Sequence, residues 1–144
     1  MQKSIIIHLI FCVTIMAGVA ACGSSLIIQE VDYSQPVESV LAPDSENSVQ
    51  DQRYAVKFSI SGVLEDEGIS AVNQIRLIRN STGFYFLTAN GFQNVYKFQS
   101  GEGTLELIEK IRVSENGLGQ PAFNQRGTHI ELVDGSTGET YNLD

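Results

Sequence analysis

The chain has 144 residues, enough for one domain rather than two. Nine Lys and Arg against seventeen Asp and Glu give a net charge of -8, which argues against a phosphate-binding surface and so against nucleic acid as a partner. Two cysteines and no Trp exclude a disulfide framework, a Cys-rich zinc site and aromatic cages built on Trp.

At the N-terminus, Lys3 supplies a positive n-region, Ile5 to Met16 an apolar h-region, and Ala17-Gly18-Val19-Ala20-Ala21 small residues before Cys22. This is the layout of a cleaved export segment. A spanning helix needs ~20 mostly apolar residues, whereas residues 4–21 end in a small-residue cluster without a basic stop. Val19-Ala20-Ala21-Cys22 resembles the lipobox of bacterial lipoprotein precursors. The resemblance implies a signal peptide over 1–21, a diacylglyceryl group on the Cys22 thiol, and often a further acyl chain on the new amine. Each buried methylene contributes ~0.8 kcal/mol, so two or three chains on Cys22 make attachment to the membrane effectively permanent. Enteric inner-membrane lipoproteins carry Asp directly after the Cys. Gly23 lacks that signal, which implies the outer membrane in a diderm source and the cell membrane otherwise. On the same resemblance Cys12 falls in the removed segment and Cys22 carries lipid, which would leave no free thiol for redox chemistry.

Residues 23–52 contain no Lys or Arg, two prolines and six carboxylates (Glu30, Asp32, Glu38, Asp44, Glu46, Asp51). That composition predicts a solvated tether over 22–52, with a root-mean-square span of about 30 Å. Leu26 to Ile28 and Val37 to Leu41 are its apolar spots, open to docking or to packing on the domain.

From residue 53 to 144, short apolar runs separated by Gly, Asn and Asp predict an all-β domain. Strands are expected at 54–61, 74–79, 84–89, 92–98, 104–113, 128–133 and 139–143, with Ile69 to Ile78 the one arguably helical stretch. Asn90-Gly91, between two apolar runs, predicts a hairpin with a type I′ turn. Its register would place Ala89 opposite Phe92, Leu87 opposite Asn94 and Tyr85 opposite Tyr96. Phe84, Phe86, Thr88 and Val95 fall on the other face, so both faces are apolar and both should be covered.

An internal repeat runs at an offset of 44: Asn80, Gly83, Asn90 and Gly91 match Asn124, Gly127, Asp134 and Gly135, and a one-residue insertion brings Tyr96 and Phe98 onto Tyr141 and Leu143. The pattern resembles propeller blades, whose period is ~40–45 residues. Two architectures follow. One is a small antiparallel sandwich or barrel of about seven strands. The other is two propeller-like blades, which cannot close a ring alone and would need an outer strand from 54–61, within the chain or from a neighbouring copy.

Little chemistry is written in the sequence. His129, the one histidine after residue 22, has no second His or Cys for zinc, and no Gly-x-Ser-x-Gly elbow supplies a nucleophile. Asp44-Ser45-Glu46-Asn47-Ser48 and Glu65-Asp66-Glu67 carry oxygen ligands of the kind calcium takes, but without an EF-hand pattern they predict solvated loops. No catalytic residue, metal or cofactor is expected. Tyr85, Phe92 and Tyr96 share one hairpin face and Tyr141 is the repeat partner of Tyr96. Exposed Tyr stacks on sugars or anchors proteins, so these four, with Asn90, Asn94 and Arg126 as polar candidates near turn ends, form the candidate binding set, with core packing as the other reading of Phe84, Phe86, Tyr96 and Phe98. The expected function is a non-catalytic, lipid-anchored envelope lipoprotein whose β domain binds an envelope protein or glycan. The alternative is a structural subunit that assembles through blade edges, as a homo-oligomer or within a larger envelope complex.

Overall fold

The computed structural model describes residues 38–101, 104–126 and 128–144, without the side chain of Arg126. The signal peptide, Cys22, the tether up to residue 37 and Gly127 of the repeat lie outside the described residues. In chain order come β1 (Ser39–Leu41), β2 (Ser48–Asp51), β3 (Val56–Ser59), α1 (Ser61–Glu67), β4 (Ile75–Arg79), β5 (Tyr85–Ala89), β6 (Asn94–Ser100), β7 (Leu105–Arg112), β8 (Pro121–Arg126), β9 (His129–Asp134) and β10 (Glu139–Asn142). The described strand pairs are antiparallel and form three sheets, ordered β1-β4-β5-β6-β7, β10-β9-β8 and β2-β3. The fold is all-β with one short helix, a small antiparallel sandwich, and no described helix is long and apolar enough to cross a membrane.

Alternation along β4 to β6 sends apolar side chains to both faces of the central five-stranded sheet. One face carries Ile75, Leu77, Tyr85, Leu87, Tyr96 and Phe98, packed against Val63 and Leu64 of α1 and Val49 and Phe58 of the β2–β3 hairpin. The opposite face carries Ile78, Phe86 and Val95, packed against Phe123, Ile130 and Leu132 of the three-stranded sheet. Fully burying a large apolar side chain contributes ~1.5–3 kcal/mol, so these two clusters hold the layers together. The expectation that the β5–β6 hairpin is covered on both sides is met, since all five residues of β5 are buried.

The register of that hairpin differs from the sequence expectation. Tyr85 faces Phe98 and Leu87 faces Tyr96. Asn90-Gly91 does sit at the centre of a turn closed by Phe92 N–H donating to Ala89 C=O (3.2 Å). Of the pair, only Gly91 has positive φ (85°), so the turn is not type I′. Gly91 and Phe92 bond to Leu118 instead of continuing the ladder, and the strands resume two residues out of the expected phase. Because side chains alternate with period 2, a slip of two keeps every residue on its expected face.

Three further expectations are corrected. β1 and β2 lie inside the stretch assigned to the tether, where β1 pairs with β4 and β2 with β3. Val49, buried in the core, and Leu41 beside it give that segment an apolar side that its charged composition masks. Residues 61–67 form a helix rather than the end of a strand and an acidic loop. Seven residues are too few to hold a helix alone, and α1 is held by burial of Val63 and Leu64 and by Gly68 in the left-handed region (φ 69°) at its C-terminus. Strand 54–61 does not complete the second half of the repeat, because β3, the strand that forms within it, pairs with β2.

Two of the sheet edges, β7 and β8, are blunted. At β7, Lys97 pairs with Glu109 and Phe98 with Leu107, leaving Ile108 as the extra residue of a bulge. Leu107 and Ile108 are 55% and 47% exposed, flanked by Glu106, Glu109 and Lys110. On β8, Pro121 has no N–H and the Phe123 N–H is taken by the Glu38 carboxylate (2.8 Å). A bulge, charges and Pro are standard obstacles to edge pairing.

Candidate functional site

The segment joining β7 to β8 crosses the end of the β5–β6 hairpin and is gripped from two sides. Gly117 has φ 87°, and a Cβ there would lie 2.7 Å from the Gly91 carbonyl oxygen, so only glycine permits this close crossing. Leu118 then plugs the second core cluster; its N–H donates to Phe92 C=O and its C=O accepts from Gly91 N–H, both at 2.8 Å. From the hairpin side, Asn90 Nδ2 donates to Gly119 C=O. From the three-stranded sheet, the buried Asp134 carboxylate accepts the N–H groups of Gly119 (3.0 Å) and Gln120 (2.9 Å) and the N–H and Oγ–H of Ser136 (3.0 and 2.7 Å). Burial pushes the Asp134 pKa up, but the amides of Gly119 and Gln120 and the Ser136 bonds outweigh it and hold the carboxyl down at about 2. Asn90-Gly91 and Asp134-Gly135, the matched turn pairs of the repeat, thus meet at Gly119.

Beside this crossing a cleft of about 870 Å³ opens between loop 69–74 and the chain from Gly119 to Ala122, within the ~300–1,000 Å³ of ligand pockets. Its lining is mixed. Asn73, Gln74, Asn90 and Gln120 bring exposed carboxamides, while Val72, Pro121 and Val133 bring apolar surface. Arg76 is the charged residue of the lining, and its guanidinium is paired with Glu38 (3.1 Å). Among the described residues no aromatic side chain lines the cleft.

Apart from Asn90, the described members of the sequence-predicted binding set sit elsewhere. Tyr85, Phe92, Tyr96 and Asn94 are only 4%, 0%, 1% and 4% exposed, so they are core residues rather than a binding surface. Tyr85 stacks edge-on with Tyr54 and Phe92 with Tyr96. The end of α1 ties Asn94 and Tyr96 together. Glu67 accepts the N–H of Gln93 (2.7 Å), the N–H and Nδ2 of Asn94 (3.1 and 2.7 Å) and the Tyr96 hydroxyl (2.8 Å). The hydroxyl also lies 2.6 Å from Asp66, so one phenolic proton is shared between two carboxylates. Burial first, and then Asp66 and Glu67, raise the Tyr96 pKa. Asp66 is pulled down by Lys110 and then by Tyr96. Tyr141 is half-buried against the second cluster and donates to Glu139 (2.6 Å), which with burial lifts its pKa to about 12. The backbone of Arg126 pairs with His129, and its side chain is outside the described residues. His129 is exposed, with Nδ1 3.0 Å from the Asp144 carbonyl oxygen.

Of the cleft residues, Asn90 was a binding candidate in the sequence, and Gly91 and Gly135 were marked there only as turn residues of the repeat. Asn73, Gln74, Arg76 and Gln120 carry no local signal, because the cleft is made by two segments more than forty positions apart. Among the described residues no group of three or more His, Cys, Asp or Glu is placed to hold a metal ion. No protein-family model, curated protein or solved structure matches this chain.

Proposed function

We propose that the chain is a lipid-anchored envelope lipoprotein whose β domain is a non-catalytic binding module, with the cleft beside Gly119 as its binding site. The observation that carries this is the cleft itself: a mixed polar and apolar concavity on a framework tied by Asn90 and Asp134. Its exposed side chains are carboxamides rather than acids, bases or nucleophiles, which suits recognition better than chemistry. The blunted edges of β7 and β8 favour this over assembly through strand edges. Anchorage rests on Val19-Ala20-Ala21-Cys22. In cells fed an alkyne-bearing fatty acid, the wild-type chain should take up label and sediment with membranes. Cys22→Ser should lose the label and leave the membrane fraction, and undiminished labelling of that variant would contradict the anchor.

A further inference from the structure

Resting on that cleft as the binding site, we propose that its occupant is an extended peptide segment of another envelope protein rather than a glycan. A carboxamide carries an acceptor and donors in one plane, matching the C=O and N–H that an extended chain presents every ~3.3 Å. Asn73, Gln74 and Gln120 are exposed along the rim, and among the described residues no other group engages their side chains. Asn90 already donates to Gly119, but its carbonyl oxygen remains to accept. Val72 and Val133 supply apolar surface for the side chains of such a segment.

The lining disfavours the other occupants. Sugar recognition leans on aromatic faces, and among the described residues none lines the cleft. A phosphate or an acidic glycan needs an uncommitted cation, whereas Arg76 is already paired with Glu38. The neutral, amide-rich wall therefore fits an uncharged extended backbone with small aliphatic side chains.

The test uses the full chain in detergent, panned against a displayed library of random dodecapeptides. Enriched peptides are then titrated as free, labelled probes by fluorescence anisotropy, and a panel of cell-wall oligosaccharides is titrated in parallel. Enriched peptides should share alternating aliphatic residues. They should bind Asn73→Ala/Gln120→Ala at least tenfold more weakly and bind Glu109→Ala, on β7, unchanged. Both changes are at exposed positions, and an unaltered melting curve verifies that each variant is folded. Peptide binding that is indifferent to the double variant overturns the inference. Oligosaccharide binding lost in the double variant, with no peptide enriched, also overturns it while leaving the cleft as the binding site. Failure of both probe classes overturns the inference and the proposed site together.

Discussion

Glu67→Ala is expected to destabilise the domain by about 3 kcal/mol, read as the midpoint shift in urea unfolding followed by the near-ultraviolet circular dichroism of the tyrosines. The Glu67 carboxylate takes four hydrogen bonds, from Gln93 N–H, both donors of Asn94 and the Tyr96 hydroxyl. Asn94 and Tyr96 are buried, and a buried donor left without its partner costs ~1–3 kcal/mol. Part of that loss is recovered as Asp66 keeps the Tyr96 hydroxyl. Glu67→Gln should lose less than half as much, since one amide oxygen can still accept from Asn94 and Tyr96 while the amide nitrogen faces the Gln93 N–H. Equal losses for the two variants would contradict this account, since a single amide oxygen would then hold neither Asn94 nor Tyr96.

Asp134→Asn is expected to cost about 2 kcal/mol at neutral pH, with a pH signature set by its own carboxylate. A carboxylate that accepts charge-assisted bonds is worth ~1.5–3 kcal/mol per bond, and some of this returns because Gln120 and Ser136 are exposed enough for water to replace it. The carboxyl is held at about 2 in the folded chain, against ~3.9 for an unfolded Asp. Its folded-state pKa is depressed, so its stabilisation is fully present above about pH 4 and is lost as pH falls through about 2. Unfolding free energies measured between pH 2 and 7 should therefore converge for wild type and Asp134→Asn at the acid end. Curves that stay parallel down to pH 2 would show that the carboxylate charge is not what holds Gly119 and Gln120. The same variant should loosen the cleft, since both residues line it.

How far the sequence reached depends on whether an element is specified locally. β4 to β7, β9 and β10 were legible because each is an apolar run bounded by turn residues, and the two-faced hairpin because its apolar residues fall on both phases of the alternation. The register was not, because it depends on Leu118 bonding to Gly91 and Phe92 from about twenty-five residues away. α1 was hidden by its brevity, and β1 and β2 by their shortness and by the acidic and polar residues that surround them in the chain. The aromatic binding set failed for a physical reason: Tyr is amphipathic, and a phenol that finds a carboxylate, as Tyr96 finds Asp66 and Glu67, can be buried whole. The repeat pointed to the right place with the wrong meaning. Its turn pairs do not mark two independent blades but the two sides of one grip on Gly119.

Cleft occupancy in the envelope can be read directly by placing a photo-crosslinking amino acid at Gln74 or Gln120 in the full-length, lipidated chain, with Glu109 and Thr140, outside the cleft, as controls. Irradiation of cells should give a discrete adduct from the two cleft positions, none from the controls, and none when Cys22→Ser removes the anchor. Adducts from Glu109 or Thr140 with none from Gln74 and Gln120 would contradict a binding module centred on this cleft.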